Sequence, residues 1–329
     1  MNTQAHFFQK LKPFIPGYTS LAVEVSEALQ VSLDSAYRRI RGEKLLDFEE
    51  LNRICSTFKV SLDEFFSLNS NTILFHGNPQ RYQEDGMRNW LEDVFKELKF
   101  LNGHEKRHVY FLIKELSPFH HFYHPVLASF KFFFWWKSIF PKEEFGREKF
   151  SLDKNYLLPY EDYIKNIVRT YTHIPSTEIW NKDALNTTLR QIESYHEMGW
   201  MESKEITTRV YASVLEVIDH IEKMATHGKK TLLGQTPTSD SADFTLYLNE
   251  IVSGDNTIMA EIGDTKITYL NHSVLYFLGS RNPTFNESMF QTMEHLIKKS
   301  TLLSASGEKE RTRVFNKFRN KVQSKIDAI

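Results

Sequence analysis

The sequence predicts a mainly α protein in three parts. These are an N-terminal unit of five short helices, a large helical middle region, and a small C-terminal α+β part with a three-stranded antiparallel sheet. Three observations lead there. Apolar residues recur every three or four positions through most of the chain. Cap residues and a stop glycine punctuate the first seventy residues at short intervals. Strand-like runs are confined to the segment after Thr226. The expected boundaries are 1–69 for the first unit, 70–86 for a linker, 87–230 for a helical dimerisation or sensor region, and 231–329 for the α+β part.

Composition narrows the function classes. With 329 residues the chain exceeds one small domain, and 41% hydrophobic with 25% charged residues suits a folded core. A formal charge of -1 argues against wholesale coating of nucleic acid but leaves room for a local basic patch. The single cysteine, Cys55, excludes a disulfide framework within the chain and points to a reducing compartment. The opening "MNTQAHFFQKLKPFIPGY" is broken by polar residues every few positions, unlike a signal peptide. No window reaches the ~20 apolar residues that span a bilayer. The expectation is a cytoplasmic protein with no membrane contact.

The elements of the first unit follow in order. A helix is expected near Thr3 to Leu11. Thr19 and Ser20 are cap candidates for a second, whose apolar face is Val25, Ala28 and Leu29. Gln30 and Val31 make a short turn, and the Ser32 hydroxyl can cap a third helix. Leu33, Ala36 (or Tyr37) and Ile40 recur there at helical spacing, and Gly42 supplies a stop. Phe48, Leu51, Ile54, Cys55 and Phe58 build a fourth helix. Ser61 to Glu64, "SLDE", is a capping box for a fifth, closed by Leu62, Phe65 and Phe66.

Val31-Ser32, then Gly42, then "EELNRICSTFKVSLDEF" resembles the helix-turn-helix module of lambda-repressor-like (XRE-type) bacterial transcription regulators. The resemblance covers about residues 3–69. It implies that the second of two short helices enters the major groove while two further helices buttress it. Two positions depart from the family pattern. Gln30 stands where a turn glycine is usual. Arg39 stands at a core apolar position, which would turn the helix slightly from the family pose.

Charge in this unit is concentrated. Arg38, Arg39, Arg41 and Lys44 against Glu43 give a local +3, although the unit as a whole is near neutral. The expected DNA-binding residues are Ser32, Asp34, Ser35, Tyr37, Arg38, Arg41 and Lys44. Asp34, Ser35, Tyr37 and Arg38, near the helix start, should face bases, and arginine's planar fork matches guanine edges. Arg41 and Lys44 suit phosphates, which position without specifying. A solvated cationic helix in a structural bundle would carry the same charge run.

The remainder reads mostly as helix. Ser67 to Gly86 is polar and turn-rich, as a linker should be. Trp90, Leu91, Val94, Phe95, Leu98 and Leu101 share one face, and Val109 to Leu116 adds an apolar stretch. Tyr163–Thr172, Ala184–Met198 and Glu205–Thr226 continue the helical pattern, the last two as a hairpin around Gly199. Phe130 to Phe140 is dense in aromatics but only ~11 residues long and holds Lys131 and Lys137, so a buried or interfacial helix is expected. His120 and His124 lie four apart, but Pro125 follows and no further ligands complete a metal site. Beyond Thr226, "FTLYLNEI", "TIMAEI" and "TKITYLN" are strand-like, with Gly263-Asp264 as a hairpin turn. "NESMFQTMEHLIKKSTLL" returns to helix, and "EKERTRVFNKFRNKVQSKI" is a basic amphipathic helix.

No Walker loop, no G-x-S-x-G and no strand-borne GxGxxG is present. The expectation is therefore no enzyme, no cofactor and no metal. The function expected is a one-component, sequence-specific DNA-binding transcription regulator. Its partners would be double-stranded DNA, a second copy in a homodimer, and an unidentified peptide or small-molecule signal. The alternative is an interaction protein that binds a peptide or protein through the aromatic helical region.

Overall fold

The computed structural model of the chain describes residues 2–12, 15, 18–62, 72–77, 86–140, 145–251, 256–273 and 275–329. The N-terminal unit starts with helices α1 (Thr3–Leu11), α2 (Leu21–Leu29), α3 (Leu33–Ile40) and α4 (Phe48–Phe58). Asn2, Ser20, Ser32 and Asp47 cap them, each side chain accepting from a backbone N–H three residues on. Phe7, Phe8, Leu11, Val25, Leu29, Ala36, Ile54 and Val60 form a core of their own, separate from the main one. Phe48, expected on the inner face of α4, is instead 89% exposed at its first turn. The expected fifth helix from Asp63 on, with Glu64, Phe65 and Phe66, lies outside the described residues.

The expected fold class is corrected by the rest of the chain, which is α/β. A seven-stranded mixed sheet runs in the order β6-β5-β4-β1-β2-β3-β7. Its strands are β1 (Arg107–Ile113), β2 (Ser176–Trp180), β3 (Phe244–Leu248), β4 (Thr257–Ile262), β5 (Thr265–Asn271), β6 (Phe277–Ser280) and β7 (Thr301–Leu302). β1, β2 and β3 are parallel, with Phe111 opposite Glu178 and Glu178 opposite Leu246. The other pairings are antiparallel.

The three strand-like runs are strands β3, β4 and β5, and Gly263 (φ 57°) makes the β4–β5 turn. They do not form a sheet of their own. β3 pairs with β2, and β4 pairs with β1. The sheet therefore takes β1 and β2 from 87–230 and its other strands from 231–329.

Helices α5 (Gly86–Asn102), α6 (Pro118–His121), α7 (Pro125–Ser138), α8 (Glu161–Tyr171), α9 (Asn186–Glu197), α10 (Lys204–His227), α11 (Pro283–Lys298) and α12 (Glu308–Ile326) surround the sheet. Alternation along the strands divides the two faces. Val109, Phe111 and Ile113 of β1 and Phe244, Leu246 and Leu248 of β3 join the main core with α7, α10 and α12. Tyr110, Leu112, Ile179, Met259 and Tyr247 point the other way, onto Phe290 and Met293 of α11.

The aromatic run is absorbed by that main core. Phe130, Phe132 and Phe133 are fully buried in α7, and Trp135 and Trp136 nearly so. No helix among the described residues is long and apolar enough to cross a membrane. The segment expected as a linker is partly structured, since His76 bridges antiparallel to Gly279 in β6.

Candidate nucleic-acid interface

The α2–α3 corner is built from its turn. Gln30 takes the left-handed conformation (φ 56°, ψ 46°) that a glycine would adopt more cheaply. Val31 N–H then donates to the Ser26 carbonyl at 3.0 Å, and the Ser26 hydroxyl donates to the Val31 carbonyl at 2.7 Å. The turn thus reaches the left-handed conformation without a glycine.

Arg39 is turned toward the core of the unit. Ala36 and Arg39 both point inward, and Arg39 is 2% exposed. Its Nε donates to Glu50 of α4 at 2.9 Å, and Nη2 donates to the other carboxylate oxygen. Nη1 donates to the Ser35 carbonyl at 3.2 Å and hydroxyl at 2.5 Å. A charged residue holds a core position because a bidentate carboxylate meets it there. The Arg39 hydrogen bond holds the Glu50 carboxyl below the ordinary carboxylate range, against the opposing effect of burial.

With 36 and 39 inward, Asp34, Tyr37, Arg38, Arg41 and Lys44 are all exposed on or just after α3. Ser32 and Ser35 have other duties. The Ser32 hydroxyl caps the helix, accepting from Ser35 N–H at 3.3 Å, and the half-buried Ser35 supports Arg39. Arg41 Nε donates to Glu43 at 2.6 Å, while Glu43 lies 4.0 Å from Arg38. These exposed contacts are weak in water and can yield to a phosphate. The hydrogen bond from Arg41 holds the Glu43 carboxyl low.

Two residues of α1 and its cap fix the loop that carries Arg41 and Lys44, and neither was expected. Gln4 Nε2 donates to the carbonyls of Arg39 (2.7 Å) and Lys44 (2.8 Å), and its Oε1 accepts from Leu46 N–H at 2.9 Å. Asn2 Nδ2 donates to the Gly42 carbonyl at 3.2 Å. Gly42 has φ 78°, and a Cβ there would overlap the Asn2 side chain. Nothing in hydrophobic spacing marks Gln4 or Asn2, because their role is to bond backbone far along the chain.

Other chemistry-bearing residues are tied into the body. His120 Nε2 lies 2.9 Å from Glu178, His121 Nε2 3.2 Å from Thr188, and His124 Nε2 3.1 Å from Glu216. The three rings thus have separate partners, and no group of three potential ligands gathers among the described residues. Glu178 is fully buried and also accepts from Tyr171 (2.6 Å) and Trp180 (2.7 Å).

Basic residues of α12 are engaged by acidic neighbours. Arg319 pairs with Asp219 at 2.7 Å and with Glu222, and Lys325 pairs with Glu193. Burial pushes the Cys55 thiol up, away from thiolate reactivity. Comparison with protein-family models, curated proteins and solved structures finds no match.

Proposed function

We propose that the chain is a DNA-binding transcription regulator that reads sequence through α3 and acts by binding rather than catalysis. The observation that carries this reading is the two-sided character of α3. Ala36 and Arg39 are locked inward, while Asp34, Tyr37 and Arg38 face out beside the cations Arg41 and Lys44. Phosphates attract cations without regard to sequence, and groove-facing polar side chains discriminate bases. One eight-residue helix buries too little for a tight specific complex, so two copies on two half-sites are proposed.

Leu45 and Phe48, 74% and 89% exposed beside this surface, favour a second reading in which the unit contacts a protein. Selection from a pool of random duplexes separates the two. A DNA reader enriches a motif, repeated with two-fold symmetry if it works as a dimer. No enrichment over a charge-matched control would reject the DNA reading in favour of the protein contact.

A further inference from the structure

The loop after α3 carries the two exposed cations suited to phosphates, Arg41 and Lys44. Its first turn is closed by the N–H groups of Glu43 and Lys44, which donate to the Arg38 carbonyl at 2.8 and 3.2 Å. The chain must then reach Asp47, the cap of α4. Leu45, 74% exposed, supplies no apolar anchor on the way, and Leu46 packs partly against the core of the unit.

The Gln4 side chain supplies the missing restraint. Its amide nitrogen carries two protons, and they go to carbonyls at the two ends of the turn, Arg39 at 2.7 Å and Lys44 at 2.8 Å. Its oxygen accepts from Leu46 N–H at 2.9 Å. A nitrogen between two carbonyls and an oxygen beside an N–H fix which way the amide is turned. Asn2 adds a fourth tie. Its Oδ1 accepts from Ala5 N–H at 2.8 Å to cap α1, and its Nδ2 donates to the Gly42 carbonyl at 3.2 Å. The main chain at 39, 42, 44 and 46 is thus bound to the start of α1. That helix is itself seated by Phe7 and Phe8, both buried in the core of the unit.

The geometry at position 4 is demanding. A glutamate would set a carboxylate against two carbonyl oxygens. An asparagine is shorter by one carbon–carbon bond, about 1.5 Å, which is more than these hydrogen bonds tolerate. The restraint matters because of what the loop carries. A long cationic side chain loses rotamer freedom when it meets a phosphate, and a wandering backbone would add to that loss. A loop tied at four points adds little.

We infer that Gln4 is a positioning residue for contact with the DNA backbone, presetting the 41–46 loop so that Arg41 and Lys44 meet phosphates together. The inference rests on the DNA reading of α3, and its test separates the two. The experiment is a double-mutant cycle in the full chain, read by binding to the duplex that the wild type selects. One arm is Gln4→Met, which keeps the length of the side chain and breaks its three bonds. The other is Arg41→Ala with Lys44→Ala. Gln4→Ala repeats the cycle with a side chain too small to disturb packing. Amide exchange at Leu46 is followed without DNA, with Ile54 in the buried core as the reference.

Gln4→Met should speed exchange at Leu46 about 10-fold or more and leave Ile54 unchanged. It should weaken duplex binding about 5-fold, part of what two phosphate contacts supply. In the background lacking both cations it should change affinity by less than about 2-fold, the usual error of such cycles. A role confined to folding would weaken binding equally in both backgrounds, and that result would overturn the positioning role. Unchanged exchange at Leu46, or undiminished binding with both cations present, would overturn it too. If the wild type selects no duplex, the DNA reading falls and the positioning role falls with it, whereas a selected duplex with equal losses rejects the role of Gln4 alone.

Discussion

Cutting the Arg39–Glu50 pair from its two ends should cost unequal amounts. The Arg39 side chain is 2% exposed and that of Glu50 17%. Glu50→Ala leaves a guanidinium shut from water with only Ser35 to bond, and stranding a buried charge costs about 3–5 kcal/mol. Arg39→Leu strands the carboxylate instead. That group reaches water and sits three residues after the Asp47 cap of α4, where helix dipoles favour negative charge. Its cost should be about 1–2 kcal/mol. Arg39→Leu combined with Glu50→Gln removes both charges and should cost less than about 1 kcal/mol.

A pH signature accompanies the pair. Its folded Glu50 pKa lies below the unfolded value. The stabilisation is therefore complete above about pH 4.3 and is lost as pH falls through the lower folded pKa. Arg39→Leu should flatten that acid-side slope.

All five tryptophans lie at or beyond Trp90, so fluorescence does not report on this unit. The assay is hydrogen exchange of peptides covering residues 33–58 in the full chain, which reads local opening free energies. Equal costs for Glu50→Ala and Arg39→Leu, or no recovery in the double variant, would refute the reasoning from unequal burial.

Gln30→Gly should stabilise the same peptides by about 0.5–1 kcal/mol, since relief of left-handed strain exceeds the added chain entropy. Glu43→Gln frees Arg41 and should tighten binding to any duplex, steepening the salt dependence by about one phosphate contact in a titration across ionic strength. Burial brings the Lys230 pKa down to about 7. Wild-type stability should therefore rise with pH between about 7 and the unfolded lysine value of about 10.4. Lys230→Met should remove that part of the rise, read from urea midpoints by tryptophan fluorescence.

Legibility differed between the two halves for physical reasons. The N-terminal helices are short, capped and amphipathic, so local signals fix them. The exceptions there are side chains that act at a distance. Arg39 looks like a defect until Glu50 comes into contact, and Gln4 looks like any surface amide. In the body, β1 was hidden because a central strand covered on both faces reads as one apolar run, as a buried helix does. β2, "STEIW", carries Glu178, whose polarity conceals that every residue of the strand is buried. The strands β3 to β5 alternate enough to show, but nothing local reveals that β3 pairs with β2 and β4 with β1. Those pairings join segments far apart in sequence.

The most direct test of the DNA reading compares Arg38→Ala with Lys44→Ala on a selected duplex and on random duplexes across a salt series. Arg38 extends from the exposed face of α3, and Lys44 lies past Gly42 in the loop held by Gln4. Arg38→Ala should cost about 1–3 kcal/mol on the selected duplex, relax preference at one base pair, and leave random duplexes nearly unaffected. Lys44→Ala should weaken both duplexes about equally and lower the salt slope by about one. Identical losses for the two variants on both duplexes would contradict the assignment of α3 as the reading helix.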